Sequence, residues 1–416
     1  MNAPEASLQP LPVHAALDQC QCDGDMLVFG GLRLDRLADR VGRTPFYAYD
    51  RAAIAGRVAQ LRTALPDGVL LHYAIKANPM PAVVQCLAGM VDGLDVASGG
   101  ELAVALDTPL APSHISFAGP GKTGAELSRA VAAGVLINVE SLAQVEQLAF
   151  ASEDQGLPAR VALRVNPDFV LRRSGMRMGG GSQPFGVDAG QAPGLLARIG
   201  QLGLAFEGLH IYAGSQNLCA RALAEAQELG MTLALRLADN APAPLRSVNL
   251  GGGFGVPYFP GEQPLVLGPL AETLQRQLER LARGVPAARL QLELGRYLVA
   301  EAGIYVCSVI ERKLSQGQVF LVTNGGLHHH LAASGNFGQI VRKNYPVVIA
   351  NRMQGEQELA CVVGPLCTPL DVLAEQMALP RAQPGDLVAV LQSGAYGLTA
   401  SPTAFLGHPL PAEVLL

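Results

Sequence analysis

Between about residues 70 and 296, short β-rich apolar runs alternate with stretches whose apolar residues recur at three- and four-residue spacing. That alternation is the pattern of parallel strands joined by helices. The candidate strands are LLHYAIKAN, GLDVAS, HISFAG, LINVES, RVALRVN, FEGLHIYAG, SVNLGGGFG and LQLELGR, separated by segments such as GAELSRAVAAG and LAETLQRQLERLAR. Eight strand-helix units in roughly 225 residues predict a (β/α)8, TIM-like barrel. After residue 297 the helical period fades, and YLVAEAGIYVCSVIERK, QVFLVTNGG, YPVVIANR, ELACVVGPLC and DLVAVLQSGAY read as longer strands. LVFGGLRL and TPFYAYD read as strands ahead of the barrel. The expectation is an α/β chain in three segments: residues 1–45 are N-terminal strands belonging to a β domain, residues 46–296 are the barrel, and residues 297–416 are the C-terminal β-rich domain. The barrel is then an insertion in the sequence of the β domain.

Composition narrows the function classes. A chain of 416 residues that is 49% hydrophobic can fill two cores. A net charge of -5 with no dense Lys/Arg run offers nothing to a polyphosphate backbone, so nucleic acid is not an expected partner. No run approaches the roughly 18 to 20 apolar residues that cross a bilayer, and MNAPEASLQPLPVH lacks a basic segment followed by an apolar one, so a cytoplasmic location is expected. The seven cysteines (Cys20, Cys22, Cys86, Cys219, Cys307, Cys361 and Cys367) are scattered without paired ligand spacing, which argues against a disulfide framework and a zinc site. His328, His329 and His330 adjoin one another; on a strand they point to alternate faces and are poorly placed to share a metal, although one of them could line an active-site mouth.

In a barrel of this kind, chemistry sits at the C-terminal ends of the strands. Lys76 ends the first strand in an apolar run, where desolvation would lower its pKa as a Schiff-base nucleophile requires; a lysine snorkelling to solvent is the alternative. Gly251 to Gly255 end the seventh strand and Arg296 follows the eighth. Glycine lets backbone amides approach a phosphate, and arginine adds a bidentate donor. Together with Ser215 after the sixth strand, they form a candidate phosphate site, a plain turn being the alternative for the glycines. Glu293 should point inward and lie deeper, where a carboxylate would keep a pyridine nitrogen protonated; a buried pair with an arginine is the alternative. His210 and Tyr212 share one face of the sixth strand, and one of them would stack on a cofactor ring unless both are packing residues.

The set Tyr73 to Asn78, Asp95 to Glu101, GLHIYAGSQ, NLGGGFG, ELGR, GPLCTPLD and SGAYG resembles the fold-type III pyridoxal-phosphate decarboxylases of diaminopimelate, ornithine and arginine, whose barrel is alanine-racemase-like. The resemblance runs from about Thr44 to His408. It implies pyridoxal 5'-phosphate as cofactor, with Lys76 forming the Schiff base, Glu293 facing the pyridine nitrogen, Asp95 among the cofactor-binding residues, and Ser215, Gly252, Gly253, Arg296 and Tyr396 holding the phosphate. It also implies a homodimer with shared sites, in which Cys367 crosses the interface to protonate Cα after carbon dioxide leaves; without the resemblance Cys367 reads as a small hydrophobe. Cys367 and Tyr396 lie in a different domain from Lys76 and must be brought over the barrel mouth.

Three departures bear on the substrate. Where the family places an acidic residue after the cysteine, this chain has Thr368 and Pro369; Tyr212 stands at the stacking position usually held by histidine; and Pro184 replaces the lysine before Phe-Gly, in a glycine-rich loop with Arg177. Arg177, Thr368 and Asp371 are therefore the candidate substrate-facing residues. These departures, with GGLHHHLA and SPTAFLGHP, resemble the branch that acts on carrier-protein-linked amino acids: glutamyl-carrier-protein decarboxylases of antibiotic side-chain assembly and exosortase-associated relatives. Arg172, Arg173 and Arg177 would then meet the acidic helix or phosphopantetheine of an acyl carrier protein, a solvated arginine loop being the alternative. Diaminopimelate decarboxylation, amino-acid racemisation on the same barrel, and a non-enzymatic homologue that has lost the cofactor are the alternatives.

Overall fold

The computed structural model describes residues 13–171, 175–177 and 179–416. Eight parallel strands, Val69–Ala74, Gly93–Val96, Ile115–Phe117, Leu136–Val139, Arg160–Asn166, Ala205–Ile211, Ser247–Gly252 and Arg289–Leu294, pair in chain order. The barrel closes where the last strand meets the first, with Leu294 opposite Tyr73. Its strands are buried on both faces, which is why they read as continuous apolar runs and not as alternating ones. The helices after the second, third and fourth strands start on side-chain caps: Ser98 accepts from Glu101 N, Thr123 and Glu126 form a reciprocal capping box, and Ser141 accepts from Gln144 N. These caps satisfy amide donors that a helix start would otherwise leave open. The tight turns they make keep the strand ends clear for functional groups. No helix among the described residues is long and apolar enough to cross a membrane.

The second domain is a mixed sheet around the long strand Gly303–Ser315. That strand pairs antiparallel with Gln318–Thr323, with Leu387–Val390, and with Phe46–Tyr49. Because Phe46–Tyr49 also pairs with Ala412–Leu415, β-domain pairing continues past residue 45, and the first barrel-side helix starts at Arg51. The segment LVFGGLRL forms two strands, Met26–Phe29 and Leu32–Arg33, of a separate three-stranded sheet; Leu27 of this sheet and Leu34, which starts the helix Leu34–Val41, pack against Phe46, Ile304 and Val348 of the β domain.

Other elements differ from the sequence expectation for local reasons. The start of YLVAEAGIYVCSVIERK is a helical turn, Arg296–Val299 and Ala300–Ala302, because the chain must turn out of the barrel before entering the sheet at Gly303. DLVAVLQSGAY leaves the sheet after Val390, where Gln392 and Tyr396 take positive φ and bend the chain toward the barrel. Strands Val372–Pro380 and Ala412–Leu415 carry no strong period; their pairing partners make them strands. His328 and His329 lie in a turn and not on a strand, and all three histidines are buried. His329 contacts Tyr305 Oη at 3.2 Å and the Pro409 carbonyl at 3.0 Å, while His330 meets Ser393 Oγ at 2.9 Å. His329 and His330 act as core polar links within the β domain, while His328 packs against the His329 and His408 rings, and among the described residues no group of three or more His, Cys, Asp or Glu side chains could hold a metal.

Candidate active site

Lys76 lies in a single helical turn, Ile75–Ala77, immediately after the first barrel strand, with Ile75 and Ala77 buried on either side. Its Nζ is 3.5 Å from Glu293 Oε1 and 5.7 Å from the Tyr212 ring centroid; 39% of the side chain remains accessible through the barrel mouth. Glu293 is nearly inaccessible, and its other oxygen lies 3.2 Å from His210 Nε2. Burial opposes the Lys76 ammonium, yet the Glu293 carboxylate, helped by Tyr396 and Tyr212, raises its pKa above the ordinary lysine value. The sequence expectation of a depressed lysine is thus corrected: desolvation is present, and the paired carboxylate outweighs it. Burial likewise opposes the charged form of Glu293, but Lys76 and then His210 hold its pKa well below the usual carboxylate range. Burial pushes the Tyr212 phenol up to about 12, so it stays neutral.

The β domain completes the mouth within the same chain. Asn78 Nδ2 donates to the Gly394 carbonyl at 3.0 Å, and Tyr396 N donates to the Ala77 carbonyl at 2.7 Å. This clamp delivers Tyr396, so its placement needs no partner subunit. The Arg296 guanidinium lies 4.5 Å from the Tyr396 ring centroid, and its Nη1 donates to Tyr258 Oη at 3.2 Å. Tyr258 is a site residue that sequence reasoning missed; its only signal was an aromatic pair soon after the glycine loop.

That loop approaches the segment after the sixth strand so closely that side chains are excluded. Gly251 has φ +68°, and a Cβ there would run into the Tyr212 ring; Gly253 has φ +82°, and its Cβ would stand 2.5 Å from the Gly214 carbonyl. Asn217 N donates to the Gly253 carbonyl at 2.9 Å and fixes the approach. Lys76, Tyr212, Ser215, Gly253, Glu293, Arg296 and Tyr396 line one cavity, with Gly252 packed behind it on the Glu293 backbone and His210 behind Glu293.

Other expected site residues lie elsewhere. Asp95 is inside the barrel, hydrogen-bonded to Ser116 Oγ and 3.4 Å from His72 Nδ1, and it does not line that cavity. Cys367 is exposed on the loop after strand Gln357–Val363 and does not line the Lys76 cavity of its own chain, and Thr368 shares that loop. Asp371 is no surface contact for a substrate: it is buried, and its oxygens accept from Leu327 N at 2.6 Å and Leu366 N at 2.8 Å. Arg172 and Arg173 lie outside the described residues, and for Arg177 only the backbone is described, in a short strand, Met176–Arg177, paired with Gly214–Ser215. Sequence reasoning also missed a buried charge cluster at the neighbouring strand ends. There Glu140 accepts from Arg164 Nη1 at 3.1 Å, from Gly119 N at 2.6 Å and from Gly186 N at 2.9 Å, with Lys122 Nζ 3.9 Å away. Glu140 thereby ties down the loop that carries Pro184 and Phe185.

A cavity holding a lysine, a buried carboxylate, a glycine-lined turn and an arginine suits a phosphorylated pyridine aldehyde. Arg296 Nε is buried with no hydrogen-bond partner among the described residues, and the side-chain-free backbone around Gly253 leaves a cradle beside it. Comparison with known proteins agrees. The pyridoxal binding domain of the pyridoxal-dependent decarboxylases matches residues 51–300. The L-glutamyl-[BtrI acyl-carrier protein] decarboxylase of Niallia circulans is 38% identical over 89% of this chain and 88% of its own length. The diaminopimelate decarboxylase of Aquifex aeolicus is 32% identical over 95% of this chain and 91% of its own length. Among solved structures, diaminopimelate decarboxylase from Helicobacter pylori complexed with L-lysine superposes with a TM-score of 0.81 at 26% identity, covering 92% of this chain and 94% of that one. The chain therefore belongs to the pyridoxal-dependent decarboxylases of fold type III and is a carboxy-lyase that uses pyridoxal 5'-phosphate.

Proposed function

We propose that this enzyme removes the α-carboxylate of an amino acid tethered as a thioester to an acyl carrier protein, and that it works in the cytoplasm as a homodimer. The observation that carries the reading is a second cavity of about 300 Å³ sharing Gln216 and Arg296 with the cofactor cavity and running outward past Tyr258, Phe259, Ile340 and Lys343. Its carboxylate, Glu262, is turned to the Phe259 backbone, whose N–H donates to it at 3.1 Å. Such a path suits a slender, largely neutral arm better than a free substrate with a charged distal end. Thr368, which brings no charge where relatives carry an acid, fits the same reading, as does the carrier-protein substrate named for the Niallia circulans relative.

The chain's residues divide the work. When bound, pyridoxal 5'-phosphate supplies an electron sink for the pair released as the Cα–carboxylate bond breaks. Lys76 would be the attachment point for the cofactor. Glu293, kept ionised by its neighbours, would hold a proton on the pyridine nitrogen, with His210 behind it. Tyr212 would offer a neutral π face. Ser215, Gly252, Gly253, Arg296 and Tyr396 would hold the phosphate, and Asp95 supports the barrel layer beneath. Cys367 of the second subunit returns a proton to Cα.

Carbon dioxide release with product identification by mass tests the substrate. The panel is a glutamyl-carrier-protein thioester, free glutamate, meso-diaminopimelate, lysine, ornithine and arginine. Turnover of the thioester alone is expected, and rapid turnover of meso-diaminopimelate overturns the carrier reading. The shared site is tested separately by mixing inactive Lys76→Ala and Cys367→Ala chains. Half of the randomly assorted dimers are mixed and each holds one intact site, so about a quarter of wild-type activity should return; no recovery after proven exchange overturns the shared site.

A further inference from the structure

The opposite mouth of the barrel, at the N-terminal ends of the strands, is hollow. A cavity of about 510 Å³ opens there, bordered by Arg160, Arg246, Arg289 and Glu207, with His72 among its lining residues. Arg160 is already engaged: Nε and Nη2 hold Glu207 at 2.6 and 2.9 Å, and Nη1 donates to the Gly134 carbonyl at 2.8 Å. The guanidinium groups of Arg246 and Arg289 have no carboxylate or hydrogen-bond partner among the described residues. Their stems start side by side, since Arg289 N donates to the Arg246 carbonyl at 2.9 Å and Arg246 N to the Glu207 carbonyl at 2.7 Å. Two guanidinium groups whose backbones adjoin and which line one cavity are bidentate donors available to oxygen anions.

A second group converges from below. His72 is 6% exposed, its Nδ1 faces Asp95 at 3.4 Å, and its Nε2 has no hydrogen-bond partner among the described residues. Gly93 makes room for the ring: a Cβ at that position would stand 2.5 Å from His72 Cε1. Asp95 is held in turn by Ser116 Oγ, so the imidazole is oriented from behind as an anion-binding histidine requires. The other carboxylate of the lining, Asp92, is engaged by Arg62 at 2.8 Å and by Leu71 N at 2.7 Å, as Glu207 is by Arg160, which leaves Arg246 and Arg289 as the uncompensated charges of the mouth.

We propose that this mouth is a second ligand site, separate from the cofactor cavity, which binds a small metabolite bearing oxyanions, a phosphate monoester or a dicarboxylate, between Arg246 and Arg289 with His72 beneath. It is independent of the carrier-protein reading. The test is calorimetric titration of the holoenzyme, whose phosphate-binding loops at the other mouth are filled, with inorganic phosphate and, separately, with succinate at constant ionic strength. The wild type should bind at one site per chain, and an Arg246→Gln/Arg289→Gln double variant should bind at least tenfold more weakly. Both arginines are exposed, so the variant should melt with the wild type. Tighter binding of succinate would mean that the ligand spans both forks; tighter binding of phosphate would mean that the forks close on one group. Absence of saturable binding of either probe to the wild type, or equal affinity in the double variant, overturns the proposal.

Discussion

Asp371 separates two ways of reading the loop that carries Cys367. From the sequence it was a candidate substrate contact, whereas in the fold it joins Leu327 N and Leu366 N through its two carboxylate oxygens. Its backbone carbonyl also accepts from Gly364 N at 3.0 Å, and side chains at positions 326 and 364 would run into the carboxylate, which explains the glycines there. Asp371→Ala leaves two buried amides open, a loss of about 1–3 kcal/mol each. Burial pushes the Asp371 carboxyl above its usual range, and the two amides pull it back only in part. Removing the charge therefore also relieves a desolvation cost, and the net loss should be near 2 kcal/mol. For a chain of this size that is a fall of about 2 °C in the melting temperature. Asp371→Asn should do little better, because its NH2 group faces one of the two amide donors. Thermal melting of the holoenzyme and steady-state carbon dioxide release are the assays: melting should fall in both variants, with kcat lowered at nearly unchanged KM. A variant that melts with the wild type while KM alone rises would refute the loop-pinning role and restore the substrate contact.

Glu293→Gln removes the charge that raises Lys76 while preserving its shape. Left to burial, the lysine should titrate lower, and decarboxylation should fall at least tenfold while cofactor still binds, judged by its visible absorbance; retention of full activity would contradict the placement of Glu293. The buried histidines predict an acid limit. Burial lowers His328 and His330 to about 3 and His329 to about 4, so below about pH 6.5 the unfolded chain takes up protons that the folded one refuses. The stability they leave intact at neutral pH is lost as pH falls through that window, by up to about 1.4 kcal/mol per unit for each histidine. Melting temperatures should therefore drop more steeply between pH 6.5 and pH 5 in the wild type than in a His330→Asn variant, and parallel profiles would count against it.

The sequence by itself determined the barrel and the strand ends on which its candidate site residues meet. Strand runs buried on both faces, alternating with helical segments, allow few other arrangements, and strand ends in a closed barrel converge on one mouth. Lys76, Ser215, Gly253, Glu293 and Arg296 could therefore be gathered from positions that span more than half of the chain. Tertiary structure decided what depends on long-range contact. Tyr396 reaches the mouth because Asn78 and Ala77 hold the Gly394–Tyr396 backbone, and no local pattern encodes that meeting. Asp371 changed from a surface contact to a buried brace because its partners lie on another segment, 44 residues away at Leu327. The charge on Lys76 followed the same rule: its own strand predicts desolvation, but Glu293, on a strand that becomes its neighbour only when the barrel closes, sets the sign. Local periodicity determines elements and faces, whereas pKa values, braces and shared mouths are sums over neighbours that only the closed fold brings together.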